Sequence, residues 1–285
     1  MLVTLTQADW PRLKSLLDVS PLETIFLSSR VERFGLDAAQ LGCPVLGVVR
    51  GGKLVTAVHC GANLMPVGDP AALGEVIEHL GPRIRTQSIL GQTSLVEALY
   101  RGLVQRWGTS WAAVRDLRPH QPLLAWRPGK PLPVAADPRV RAMGLPDLAA
   151  YHAAAVRMYT EEVGTSPQDA TDSYHSYVRF LISNRRAFGA MSHHRSLGVG
   201  GGDRVWFKAD VGATYGAVCQ IQGVWLDPAL RGQGLAEPLM AAVLGLLDPK
   251  WKVVSLYVND YNLRARRMYA RLGFQIVGEF ATVLY

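Results

Sequence analysis

The sequence predicts an α+β (mixed α/β) protein built from two similar halves, each a mixed, mostly antiparallel sheet flanked by helices. Three observations predict it. Runs with the two-residue period of a half-buried strand are interleaved with runs of helical period along the whole chain. The elements come in the same order twice: two helices, a hairpin, a third strand, a helix, a strand and a helix. The second series also contains an apolar strand, residues 218–226, that passes through a glycine-bearing loop into an amphipathic helix. With 285 residues, 49% of them hydrophobic, the chain has material for one large core or two small ones.

In the first half, helices are expected over residues 7–17 and 22–33. Residues 44–49 and 54–59 flank Gly51-Gly52, which reads as a hairpin because glycine reaches the positive φ of a tight turn. Residues 62–67 extend the sheet, 71–80 form a helix, 88–90 a short strand and 95–107 an amphipathic helix. Arg127-Pro128-Gly129-Lys130-Pro131-Leu132-Pro133 then breaks the periodicity. It divides the chain into 1–127, a linker over 128–137, and 138–285. The second half continues with a strand over 139–142, helices over 148–158 and 172–182, and paired strands over 185–191 and 205–207 joined by a long loop at 193–203. Strand 218–226 follows, then a helix ending at Leu247, a strand over 253–258, a helix over 262–272, and a closing strand pair at 274–277 and 280–284.

The stretch Val224-Trp225-Leu226-Asp227-Pro228-Ala229-Leu230-Arg231-Gly232-Gln233-Gly234-Leu235-Ala236 organises the second half. Beyond its loop, Leu235, Leu239, Val243, Leu246 and Leu247 recur at helical spacing, so one face packs on the sheet. Pro238 stands close to the helix start, where its missing N–H costs little. Gly232 and Gly234 allow the backbone to approach a ligand, since no Cβ intervenes. The N–H groups of the loop and first helical turn lack partners within the helix and sit at the positive end of its dipole. Together these features make a cradle for a diphosphate.

Composition narrows the function. Apolar runs fall short of the ~20 residues that a bilayer span needs, and the first residues lack a basic leader and long apolar core, so a cytoplasmic protein is expected. Cys43, Cys60 and Cys219 are scattered and form no C-x-x-C pair, which reads as reduced thiols. The net charge of +7 is spread over both halves and accompanies no nucleic-acid recognition motif, so no nucleic-acid partner is expected.

The loop resembles a motif of the GNAT family of N-acetyltransferases, Arg/Gln-x-x-Gly-x-Gly/Ala, with Arg231, Gly234 and Ala236 at its fixed positions. A second block resembles the same family: Leu256-Tyr257-Val258-Asn259-Asp260-Tyr261-Asn262, followed by Ala265, Met268, Tyr269, Gly273 and Phe274. The resemblance implies a tandem GNAT-like fold whose first copy is degenerate, because Val67-Gly68-Asp69-Pro70-Ala71-Ala72 stands where the glycine motif belongs. The first half also resembles an uncharacterised domain that precedes GNAT domains in some bacterial proteins.

For function, the resemblance implies direct transfer of an acetyl group from acetyl-CoA to an amine. Val224, Trp225 and Leu226 would line the pantetheine arm, the backbone of Val224 and Leu226 polarising the thioester. Arg231, Gly232, Gln233, Gly234, Leu235 and Ala236 would hold the pyrophosphate. Asn262 would lie near the pantetheine while capping its helix. Tyr269 would protonate the departing thiolate. Glu161 and Glu162 are the candidates for a carboxylate base acting through water, with neither singled out. Among Arg264, Arg266, Arg267 and Arg271, one or more could touch the 3′-phosphate, and Trp225, Tyr257 and Tyr261 could wall the acceptor pocket.

His193-His194 has no third ligand nearby and Gly198–Gly202 lacks a P-loop ending, so no metal is expected. The partners are therefore acetyl-CoA and an acceptor amine, without a membrane, for a monomer or homodimer. The competing class is a non-catalytic acetyl-CoA sensor or a partner-recruiting module.

Overall fold

The computed structural model describes residues 1–129, 131–167, 172–192 and 203–285. In the first half the strands are β1 (Leu2–Thr4), β2 (Val45–Arg50), β3 (Lys53–Cys60), β4 (Asn63–Gly68), β5 (Ser88–Gln92) and β6 (Asp116–Trp126). Its helices are α1 (Trp10–Leu17), α2 (Ile25–Phe34), α3 (Ala38–Leu41), α4 (Gly74–Leu80), α5 (Thr93–Trp107) and α6 (Thr109–Ala112). The second half supplies β7 (Arg141–Ala142), β8 (Ala187–Ser192), β9 (Arg204–Tyr215), β10 (Val218–Leu226), β11 (Val253–Tyr257) and β12 (Gln275–Leu284). Its helices are α7 (Leu148–Val163), α8 (Ser173–Ser183), α9 (Ala236–Leu246) and α10 (Leu263–Arg271).

The two expected sheets are one. All twelve strands pair in the order β1-β2-β3-β4-β5-β12-β6-β11-β10-β9-β8-β7. If each strand is matched to its counterpart in the other half, β1 with β7 through β6 with β12, this order reads the same from both ends. The last strand of each half has crossed to the other. Thus β12 pairs antiparallel with β5, Phe280 opposite Gln92, and β6 pairs antiparallel with β11, Ser255 opposite Ala125. At the centre β6 and β12 pair with each other. Neither last strand could leave without exposing the edges of both halves, which makes the exchange a permanent seam.

Helices cover both faces. On one, α9 and α10 close a core containing Leu239, Val243, Leu256, Met268 and Phe274. On the same half's other face, Tyr151 and Ala155 of α7 pack with Val178 and Leu181 of α8. The first half's α4, α5 and α6 bury Val76, Leu99 and Trp111 against β5 and against Ala281 and Val283 of β12. A fourth core joins the halves, with Leu13, Ile25 and Val31 from α1 and α2 in the same cluster as Ala213, Tyr215 and Val218.

Several expectations need correction. β1 and β6 have no counterpart in the sequence reading. The closing strand pair is a single strand, β12, whose register against β6 shifts between Ile276 and Gly278; Gly278 occupies the break between the two apolar runs without a turn. β9 runs to Tyr215, far beyond residues 205–207. The residues of loop 193–202, including His193, His194 and Gly198–Gly202, lie outside the described set. No helix among the described residues is long and apolar enough to cross a membrane.

Candidate active site

The site begins where β10 leaves β11. The two strands pair in parallel only from Val218–Gln220 opposite Val253–Ser255. Among the described residues, β10 beyond Gln220 keeps only β9 as a neighbour, while β11 turns its other edge to β6. A wedge therefore opens between the strands, bounded on one side by β10 residues 221–226.

A bulge shapes that side. Gln222 lies opposite Asp210 and Trp225 opposite Lys208, so Gly223 and Val224 share one partner, Ala209. Gly223 has φ +56°. Its carbonyl accepts from the Lys208 ammonium at 2.9 Å, and Lys208 is wholly buried, also paired with Asp210. A Cβ on Gly223 would come within 2.7 Å of that nitrogen, which accounts for glycine here. Tyr151 donates to the second Asp210 oxygen, leaving the buried pair hydrogen-bonded on both sides. Val224 and Leu226 point side chains into the α9 core, while Trp225 is buried in the α7–α8 core. Of this trio only the main chain faces the wedge.

At the end of β10, Asp227 caps a short turn at Pro228–Leu230 by accepting from the Ala229 N–H at 3.1 Å. Gly232 and Gly234 follow at φ +80° and +74°, conformations costly for residues with a Cβ. A Cβ built on either meets nothing within 4 Å, so the loop presents open space. Among the described residues, no acceptor reaches the N–H groups of Gly232 to Glu237. These amides crown the positive end of α9, an arrangement suited to a polyanion. Glu237 is held aside by Arg271.

The other expected residues divide into those near the wedge and those committed elsewhere. Arg231 does not face the amide crown. Its Nε donates to the Leu226 carbonyl at 3.0 Å and its Nη1 meets Glu161 at 2.6 Å. Glu161 also accepts from the Trp225 indole at 3.0 Å, and the Arg231 hydrogen bond holds its carboxyl below the usual range. Both its oxygens are thus engaged. Among the described residues, the ion-pair partner of Glu162 is instead the Arg118 guanidinium, 3.7 Å away, and Arg118 also donates to the Glu162 carbonyl at 2.9 Å. Sequence reasoning missed Arg118 because β6, which carries it, belongs to the other half.

Tyr269 is almost fully buried, edge-on to Phe274 at 5.5 Å. Its hydroxyl has no hydrogen-bond partner among the described residues. Burial, aided by the Glu162 charge, raises its pKa, so the phenol stays protonated at neutral pH. Asn262 caps α10 by accepting from the Ala265 N–H at 3.2 Å. Arg266 is spent on the Asp260 carbonyl, while Arg264 and Arg267 have no partner among the described residues. Tyr257 packs against Phe26 and Phe280, whereas Tyr261 is exposed.

Comparison with known proteins bears on both halves. Residues 148–274 match the family model described as Acetyltransferase (GNAT) family. Residues 43–151 match one described as Domain of unknown function (DUF4081). Among solved structures, the chain is similar to a GCN5-related N-acetyltransferase from Sphaerobacter thermophilus, with TM-score 0.61, 16% identity, and 99% and 94% of the two chains covered. It is also similar to a GNAT-family acetyltransferase from Colwellia psychrerythraea (TM-score 0.53, 15% identity, 100% and 99% covered). A tandem GNAT protein from the clavulanic acid biosynthesis pathway, crystallised without AcCoA, gives TM-score 0.55 at 15% identity, with 99% and 97% covered. At these identities the likeness is one of fold.

Proposed function

Residues 148–274 being a domain of the GNAT acetyltransferase family, we propose that residues 138–285 transfer an acetyl group from acetyl-CoA directly to an acceptor amine. Residues 1–127 then form a degenerate copy without that chemistry. The observation that carries the reading is the crown of unpaired amides from Gly232 to Glu237 at the mouth of the β10–β11 wedge. A diphosphate on that crown would direct the pantetheine arm into the wedge, along the main chain of Val224, Trp225 and Leu226.

The roles follow from the chemistry of acyl transfer. Main-chain groups of β10 would orient the thioester and stabilise the oxyanion. The protonated Tyr269 would give its proton to the leaving sulfur. Of the two carboxylates, Glu162 would take the amine proton through water, because both oxygens of Glu161 are bound to Arg231 and Trp225. Glu161 would instead fix Arg231 and, through it, the Leu226 carbonyl. Asn262 would hold the first turn of α10 beside the arm.

The deciding experiment measures acetyl-CoA binding by calorimetry and thiol release with a panel of amines and peptides. Binding with amine-dependent thiol release supports the transferase. Binding without release from any amine identifies a sensor, and no binding removes the coenzyme from the account.

A further inference from the structure

A cavity of about 230 Å³ lies in the first half, away from the β10–β11 wedge. Leu46, Leu64, Leu80 and Trp111 give it an apolar floor, and Arg83, Arg85 and His79 stand around it. Neither arginine has a hydrogen bond or ion pair among the described residues.

The second half supplies its own control. Gln87 and Ser88 donate their N–H groups to the Ala62 carbonyl, just as Lys252 and Val253 donate theirs to Ala217. The first residues of β5 and β11 also start the parallel pairing in each half, Asn63 with Ser88 and Val218 with Val253. Counting back from these equivalent bonds, Thr86 corresponds to Trp251, Arg85 to Lys250 and Arg83 to Asp248. In the second half, Trp251 fills the core and Lys250 is neutralised by Asp248 at 3.3 Å. In the first half a threonine stands where the tryptophan would be, and an arginine replaces the aspartate. One exchange opens space beside the strands. The other leaves two cations at its mouth without an ion-pair partner among the described residues.

We propose that this cavity is a second binding site, for a small organic anion with a short apolar body and a carboxylate or phosphate head. The apolar body rests on Trp111 and Leu46, and the head is gripped by the guanidinium forks of Arg83 and Arg85. The burial of Cys60 pushes its thiol up to about 12, so the sulfur in the wall is unreactive and contributes only packing. The site is independent of acetyl transfer, and its occupant need not be a substrate.

The test is calorimetric titration of the full chain with phenylacetate, hexanoate, phenyl phosphate and inorganic phosphate. At least one organic anion should bind with a dissociation constant below about 1 mM. The two head groups are distinguished by comparing phenylacetate with phenyl phosphate. The variant R83A/R85A should weaken binding at least about tenfold while leaving acetyl-CoA binding as it was, both side chains being exposed and without a partner among the described residues. T86W, copying the second half, should abolish binding by filling the space. The proposal fails if no organic anion binds with a dissociation constant below about 1 mM, if inorganic phosphate alone binds, or if R83A/R85A binds as tightly as the parent.

Discussion

The two halves meet the same turn and leave it differently. Asp69-Pro70-Ala71 follows β4 and Asp227-Pro228-Ala229 follows β10; each aspartate accepts from the alanine N–H two residues on, and each proline opens a short 3-10 turn. After that the first half enters α4 almost at once. The second inserts Arg231-Gly232-Gln233-Gly234-Leu235 before α9. The glycines differ as well. A Cβ on Gly68 would collide with the Val55 carbonyl, whereas the space above Gly232 and Gly234 is open. One glycine serves close packing and the others leave room for a ligand. A few residues between strand and helix therefore separate a scaffold copy from a candidate catalytic copy, while the sheet treats both alike.

The largest effect that can test this difference is Gly234→Glu. It places a carboxylate where diphosphate charge would sit and strains a positive φ. Acetyl-CoA affinity should fall on the order of a thousandfold, about 4 kcal/mol. Gly234→Asn, which tolerates that backbone region, should retain most of the affinity and separates charge from strain. Ala71→Glu, in the matching turn of the first half, should change nothing in calorimetry. If the Ala71 variant also loses binding, the assignment to the second half is wrong.

Tyr269→Phe should lower kcat about a hundredfold, the scale of a lost general acid, with acetyl-CoA affinity within about twofold. Removing one hydroxyl that has no partner among the described residues leaves packing on Phe274 intact. Equal losses in turnover and affinity would instead assign the residue to the core.

How much of this was legible in the sequence depended on whether the signal was local. The loop of Gly232 and Gly234, the cap at Asn262 and the Gly51-Gly52 hairpin are written in adjacent residues, and each has the expected form. The strand exchange is not local. β6 carries Arg-Pro-His-Gln-Pro at residues 118–122, a polar, proline-broken pattern that contradicts a central strand. It is tolerated because its pairing with β12 is itself irregular between Phe280 and Thr282. Glu161 and Glu162 are neighbours in sequence, and nothing in their spacing told them apart. Only the fold separates them, by bringing Arg231 and Trp225 to one and Arg118 to the other.

A third prediction sets the halves against each other in acid. His59 is buried, with Nε2 accepting from Arg30 of α2 and facing the Cys43 thiol, and Nδ1 donating to the Asn63 carbonyl. Burial, with Arg30 adding, lowers its pKa to about 4 from the ordinary 6.5. The folded state therefore keeps the ring neutral, while the unfolded chain binds a proton below pH 6.5. Stability is full above about 6.5 and is lost as the pH falls toward 4, by on the order of 3 kcal/mol in all. The matching rung of the second half pairs Gln220 with Ala213 and carries no titratable group. Urea unfolding at pH 7 and pH 5 should show the loss, and His59→Gln should flatten it. An unchanged slope in that variant would move the acid sensitivity elsewhere.

The smallest expected effect concerns the residue that looks most like a phosphate ligand. Arg231 and Glu161 are each about two-fifths exposed, and such pairs contribute roughly 0.5 kcal/mol. A glutamine at this position can still reach the Leu226 carbonyl with its amide N–H, which preserves the contact that orients the end of β10. Arg231→Gln should therefore weaken acetyl-CoA binding by less than about tenfold, far less than Gly234→Glu. If it matches the glycine variant, the guanidinium must leave Glu161 and swing onto the diphosphate when the coenzyme binds. Glu161 would then be released as the ligand arrived, and Glu161→Gln would become the variant that tells a fixed brace from a displaced one. It should raise acetyl-CoA affinity if the arginine has to be freed, and leave it unchanged if the arginine stays.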